Sequence, residues 1–163
     1  MDLADLPRNP FDGRAEFQRA LVLVLVLARQ QMTWFDRDLS DWPIEQPAVA
    51  RLVARFCSAS PGAGLRVLVR DERWLERRFA RFAALRRSAA GRIECRRLPD
   101  AIERADDGAL LVDGRHLVRR FHADHHRGRF ALDAPAEVEA IAPRIDALWS
   151  IATPCATATM LGL

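Results

Sequence analysis

The sequence predicts a single three-layer α/β domain in which a mixed β-sheet is flanked by helices, and three observations carry that expectation. Short apolar runs with strand character at residues 31–35, 65–69 and 93–98 alternate with segments of helical period. Two further apolar runs flank Asp113-Gly114, a two-residue turn signal that implies an antiparallel hairpin. With 163 residues, half apolar and 29% charged, the chain is long enough for one core and ordinary for a globular domain. Strands interleaved with helices, then a hairpin and a closing helix, combine parallel and antiparallel pairing in one sheet.

Residues 1–13 hold Pro7, Asn9, Pro10 and Gly13 and are expected as an irregular lead-in to a domain spanning 14–152, with a tail at 153–163. The apolar run at 20–28 fits a strand by β-branching and a buried helix by continuity. Residues 14–29 are too long for one strand, so a helix is expected, with the run fully buried. Residues 31–35 form a strand that ends in an acidic loop containing Asp36, Asp38 and Asp41. Pro47 opens a helix through about Phe56, because proline is tolerated in the first turn. Residues 60–64 are a Pro/Gly loop, 65–69 a strand, and Asp71 caps a long arginine-rich helix to about Ser88. Trp74, Leu75, Phe79, Phe82 and Leu85 share its inner face. After Gly91 come a strand at 93–98, the hairpin of 109–112 with 116–121, and a short strand at 129–132. A last helix spans 134–151, with Pro143 expected to kink or split it.

The chain has 25 basic residues, all of them arginine. The absence of lysine excludes a phosphate-loop lysine, a Schiff-base amine and any phosphotransfer site built on lysine. Arginine remains, a planar and permanently charged fork suited to carboxylates, phosphates and aromatic faces. A net charge of +3 is too small to indicate bulk coating of nucleic acid. The composition, rich in Ala, Arg and Leu without Lys or Tyr, fits a GC-rich bacterial genome. Cys57, Cys95 and Cys155 show no CxxC spacing, so neither a disulfide framework nor a zinc site is indicated, and reduced buried thiols are expected. The nine-residue apolar run is too short to cross a bilayer, and its acidic N-terminal flank does not suit a signal peptide. A cytoplasmic protein is expected.

All four histidines, His116, His122, His125 and His126, lie within residues 116–126. His122, Asp124, His125 and His126 are the right residue types for a metal. Adjacent residues point apart, however, and no familiar ligand spacing is present, so no metal or cofactor is expected. Asp36 and Asp38, one residue apart at the end of an apolar strand, resemble the first motif of haloacid-dehalogenase-type phosphatases. There one carboxylate attacks phosphorus and the other moves a proton. The later lysine of that pattern is missing. The plainer reading is acidic residues capping a turn and pairing with arginines. The arginines at 66–87 are most simply a solvated helix face balanced by Asp71, Glu72 and Glu76.

Arg14-x-Glu16, Phe35-Asp36-x-Asp38-Leu39 with Trp42, Leu65-Arg66-Val-Leu-Val69 and Val112-Asp113 occur in that order. Arg120-x-His122-x-Asp124-x-x-Arg127-Gly128, Leu148-Trp149 and Ala158-Thr159-x-Leu161-Gly162-Leu163 follow. The series resembles a family of uncharacterised proteobacterial proteins whose fold is similar to one half of a phospholipase-D-like domain. The resemblance implies that fold and transfers no activity. The superfamily's His-x-Lys-x4-Asp motif supplies a nucleophile and a phosphate clamp. Its best register here uses Asp113 as the aspartate, which puts Asp106 and Gly108 at the histidine and lysine positions.

The expected function is therefore a non-catalytic phospholipase-D-like domain acting as a binding or interaction module. Its polar cluster, ligand-binding or structural, comprises Asp36, Asp38, Asp113, Arg120, His122, Asp124, Arg127 and Gly128. Arg120 or Arg127 is expected to pair with Asp36, Asp38 or Asp124. An Arg120-x-His122-x-Asp124 stripe is expected on one face of an extended segment. Gly128 is expected to mark a positive φ or a close backbone approach. The alternative is a phosphoryl-transfer or phosphodiester-cleaving enzyme using Asp36/Asp38 or the His122-Asp124 loop. Partners consistent with the residues are a phosphorylated or anionic ligand, nucleic acid, or a second copy of the chain.

Overall fold

The computed structural model describes residues 9–59, 61–102 and 105–156. Its elements are β1 (Asn9–Asp12), α1 (Arg14–Leu25), β2 (Gln31–Asp36), α2 (Pro47–Ala59), β3 (Gly64–Val69), α3 (Arg73–Arg77) and α4 (Ala80–Ser88). There follow β4 (Ile93–Arg97), β5 (Gly108–Val112), β6 (His116–Arg120), β7 (Arg127–Ala131), α5 (Pro135–Ile151) and β8 (Thr153–Pro154). The strands form one mixed eight-stranded sheet in the order β1-β7-β6-β5-β2-β3-β4-β8. β2, β3 and β4 run parallel, and every other neighbouring pair is antiparallel. The lead-in residues before Asn9 and the tail motif at 158–163 lie outside the described residues.

Alternation along each strand sorts its side chains between two helical layers. Met32, Trp34, Leu65, Val67, Leu110 and Val118 face α1, α2 and α4, where Phe17, Leu21, Val53 and Phe82 complete one core. Phe35, Leu68, Leu111 and Leu117 face α5 and pack against Val138, Ile141, Ile145 and Trp149. The three-layer α/β expectation is met.

Several local expectations are corrected. Residues 9–12, expected to be irregular, form an edge strand on β7, with Phe11 opposite Gly128. The run at 20–28 is not wholly buried. Ala20, Leu21, Val24, Leu25 and Ala28 face the sheet, whereas Leu23 and Val26 are exposed, because a helix on one side of a sheet can bury only one stripe. α1 also stops at Leu25, short of Arg29. The Asp113 carboxylate accepts the backbone N–H groups of Arg29, Gln30 and Gln31 at 2.8–2.9 Å, drawing the chain out of the helix and into β2.

The single helix expected at 71–88 is two. Phe79 leaves helical geometry to bury its ring, and Glu45 accepts the N–H groups of Arg81 and Phe82 at 3.1 Å, so that α4 starts afresh. Asp71 accepts the Arg73 N–H and its guanidinium instead of capping a long helix. α5 runs through Pro143 unbroken. Proline and the Glu139 carbonyl it leaves without a donor both sit on the exposed side, where water can serve that carbonyl. No helix among the described residues is long and apolar enough to cross a membrane.

Candidate functional site

One cross-strand row builds the centre of the expected cluster. Phe11 lies opposite Gly128, Gly128 opposite Arg120, and Arg120 opposite Gly108. The β2–β5 register, with Phe35 opposite Ala109, carries the row on to Asp36. Large and absent side chains thus alternate across five strands. A Cβ on Gly108 would stand 2.6 Å from Asp36 Oδ1 and 3.1 Å from the Phe35 carbonyl oxygen. A Cβ on Gly128 would overlap the Arg119 carbonyl and crowd the Phe11 ring. Gly128 therefore shows the close backbone approach expected of it, without a positive φ.

The space over Gly108 lets Asp36 and Arg120 meet. Both residues are 2% exposed, and Arg120 Nη1 lies 3.7 Å from Asp36 Oδ1. The expected Arg120–Asp36 pairing is present. Arg120 spreads its remaining donors over the loop that follows. Nε bonds the carbonyls of His122 and His125, and Nη2 bonds the Ala123 carbonyl and Asp41 Oδ2, the latter at 3.1 Å. Its guanidinium also lies 5.2 Å from the centre of the Phe17 ring, beneath α1. Asp36 Oδ2 accepts the Leu39 N–H at 3.0 Å, while Oδ1 accepts no hydrogen bond. Burial pushes the Asp36 carboxyl up to about 6, against the pull of Arg120 and of the Leu39 amide.

Asp41, outside the expected cluster, is its hub. Its carboxylate reaches Arg120, Arg14 Nε at 3.4 Å and His126 Nε2 at 3.1 Å, and its carbonyl accepts from Gln18. The available signal was its place in an acidic strand-end loop opposite a run of arginines and histidines.

The other expected residues do not converge on this centre. Asp38 turns back to accept the Ser40 N–H at 2.9 Å. The Asp36/Asp38 pair thus lacks the geometry of two carboxylates facing one phosphorus. The extended Arg120-x-His122-x-Asp124 stripe is replaced by a turn, closed by the His125 N–H on the His122 carbonyl. Arg120 points inward because the turn's carbonyls fold over it, whereas His122 and Asp124 stay at the surface. Asp124 pairs with Arg37 at 2.9 Å, which holds its carboxyl below the usual range. Among the described residues Arg127 pairs with Asp12, both side chains being largely exposed. Asp113 is the anchor of the α1–β2 turn. Beside the histidine turn lies an open hollow of about 330 Å³ bordered by Asp12, Gly13, Asp124, His125, His126 and Arg127. No group of three or more His, Cys, Asp or Glu among the described residues is arranged to hold a metal ion.

The fold has solved counterparts. The structure matches TrmBL2, an archaeal chromatin protein described as showing a novel mode of DNA binding, with a TM-score of 0.65 and 13% identity. That match covers 91% of this chain and 54% of that one, so the chain spans about half its length. It also matches Nuc from Salmonella typhimurium, a phospholipase D family member, with a TM-score of 0.59 and 15% identity over 92% of this chain and 99% of Nuc. A third match is NucT from Helicobacter pylori, with a TM-score of 0.65 and 9% identity over 91% and 98% of the two chains. At these identities the likeness establishes a phospholipase-D-like fold and nothing finer. No curated protein matches the chain. A family model does match, over residues 13–161, and the chain belongs to that family, described as a domain of unknown function, DUF7931.

Proposed function

We propose that this chain is a non-catalytic phospholipase-D-like domain, a cytoplasmic bacterial binding or interaction module for an anionic or phosphorylated ligand. One observation carries the reading. In the register that makes Asp113 the motif aspartate, the clamp-lysine position is Gly108, and the Asp36 carboxylate fills the space a side chain there would need. The guanidinium nearest that carboxylate is itself buried and engaged by Asp41 and the loop carbonyls. An anion arriving at this centre would meet a carboxylate and no free donor. In this reading Asp36, Asp113, Arg120 and Gly128 act structurally, and Asp38, His122, Asp124 and Arg127 are surface groups to which no ligand contact is assigned.

The second reading, phosphoryl transfer or phosphodiester cleavage by Asp36/Asp38 or the His122-Asp124 turn, draws support from the raised Asp36 carboxyl, since perturbed acids cluster at active sites. Its burial argues against it, because a nucleophile or base must reach its substrate. The test is turnover of a phosphodiester and a phosphomonoester ester of nitrophenol by the purified chain. We expect none above background. Turnover abolished by Asp36→Asn or His122→Ala would overturn the proposal.

A further inference from the structure

The carboxyl ends of β2, β3 and β4 each carry an arginine. Arg37 and Arg70 directly follow β2 and β3 at matching positions, and Arg97 ends β4 one residue earlier, opposite Val69. In open α/β sheets that edge is where ligands bind. Here it forms a cleft of about 440 Å³, separate from the Asp36–Arg120 centre and bordered by Arg37, Arg70, Arg73, Arg97 and the acids Asp71, Glu72 and Asp100.

The cleft's acids engage two of the four arginines, and Asp124 from outside it engages a third. Arg73 holds Asp71 at 2.6 Å, Arg97 stands 3.6 Å from Glu72 and 3.5 Å from Asp100, and Arg37 reaches Asp124. Arg70 has no carboxylate partner among the described residues. Its Nε and Nη2 are shielded from solvent and bond no acceptor. Those two nitrogens form one edge of the guanidinium fork, the edge that binds two oxygens of a single oxyanion side by side. With Asp124 on Arg37, these four arginines face four carboxylates, so the pull on an oxyanion comes from the unfilled Arg70 edge and not from net charge.

Asp71 and Arg73 also border a second hollow, of about 220 Å³, with Trp74, Arg77 and Arg78. Trp74 is half-exposed, and the Arg78 guanidinium lies 5.6 Å from its ring centre. A flat aromatic face beside a basic cleft is the arrangement that holds a single nucleic-acid strand, with bases stacked and phosphates paired.

We propose that this edge binds single-stranded nucleic acid, one phosphodiester seated on the Nε/Nη2 edge of Arg70 and a neighbouring base on Trp74. Arg70 or a neighbour must shift its rotamer to open that edge, and the incoming oxyanion supplies the acceptors it lacks. The assignment rests on the binding-module reading and adds its ligand and its place.

The test is fluorescence anisotropy of a labelled single-stranded oligothymidylate with the full chain, at low and at near-physiological salt. We expect binding that weakens with salt, falls about tenfold or more in Arg70→Met, and falls roughly tenfold in Trp74→Ala. Arg127→Ala, on a separate surface hollow, should bind as wild type. Arg70→Met should also keep or raise the thermal midpoint, because it removes a desolvated charge without an acceptor. Loss of binding together with loss of stability would mark Arg70 as structural and overturn the assignment. So would equal weakening by Arg127→Ala, an unbound strand at low salt, or preferential binding to phosphatidylglycerol vesicles. A denaturing gel of the same mixtures keeps the two proposals apart. A cleaved strand breaks the non-catalytic reading, whereas an intact but unbound strand breaks only the cleft assignment.

Discussion

Asp36 and Arg37 are neighbours in the chain and serve opposite kinds of site. Asp36 turns under α1 into a sealed centre where Arg120 is bonded to three carbonyls and a second carboxylate. Arg37 turns out to an open cleft in which Arg70 has two solvent-shielded nitrogens without an acceptor. Both regions are rich in arginine and acid, so composition does not separate them. Closure does. The sealed centre has used its donors to hold the strand ends and the 121–126 turn together. The open edge keeps one donor edge in reserve.

If the centre is structural, its glycines should matter more than its charges. Gly128→Ala places a Cβ on the Arg119 carbonyl, a backbone atom that can yield only if β6 and β7 part. We expect a loss above about 4 kcal/mol, or failure to fold, in urea denaturation. Gly62→Ala, where an added Cβ meets nothing within 4 Å, should stay within about 0.5 kcal/mol. A mild Gly128→Ala would mean that the edge of the sheet is looser than the row across it implies.

Next in size is Arg120→Ala, expected to cost about 3–5 kcal/mol, because it strands a buried carboxylate and several carbonyls. Arg70→Met should be neutral or stabilising by the same denaturation. Opposite signs for these two arginines, one ending β6 and the other following β3, would be the sharpest form of the comparison. Equal losses would dissolve it.

Much of this was legible in the sequence, and the failures share a cause. The apolar runs at 31–35 and 65–69 marked strands, and Asp113-Gly114 marked the hairpin, because these signals are local. The reach of Asp113 to residues 29–31, the capping of α4 by Glu45 and the pairing of residues 9–12 with β7 are contacts over long separations. No window of sequence contains them. The Arg120–Asp36 pair was expected, but its hub, Asp41, was not, because the turn that brings His126 and Asp41 together replaces an extended segment. The row Asp36-Gly108-Arg120-Gly128 is visible only once register is known. Gly108 had stood out solely as the place of a missing lysine.

A smaller effect concerns pH. Burial raises the Asp36 carboxyl from 3.8 to about 6, so the folded chain holds its proton more tightly than the unfolded chain does between those values. Protons are then released on unfolding, and the contribution of this group to stability falls as pH rises from about 4 to 6. The change is on the order of 2–3 kcal/mol at most. Asp36→Asn should flatten that slope in thermal melts across the window. A slope that persists unchanged in the variant would assign it elsewhere and weaken the case for a sealed centre.

The smallest expected effect belongs to Arg127, which follows the histidine turn and was expected, from sequence, as a candidate partner of Asp124. Its carboxylate partner among the described residues, Asp12, lies 3.4 Å away, and the two side chains are 73% and 72% exposed. Water competes for both groups at that exposure, and holding two long side chains in one geometry costs rotamer entropy. A pair of this kind contributes roughly 0–1 kcal/mol, less at high salt. Arg127→Ala should therefore shift stability by no more than about 0.5 kcal/mol and leave oligonucleotide binding at the wild-type level. The nearby strand pairing does not depend on it, since Asp12 and Arg127 are also joined through the β1–β7 ladder. A loss comparable to that of Arg120→Ala would mean that the 121–127 turn is clamped from outside as well as from within. The boundary between the sealed centre and the solvated surface would then move outward to include the hollow beside His125 and His126.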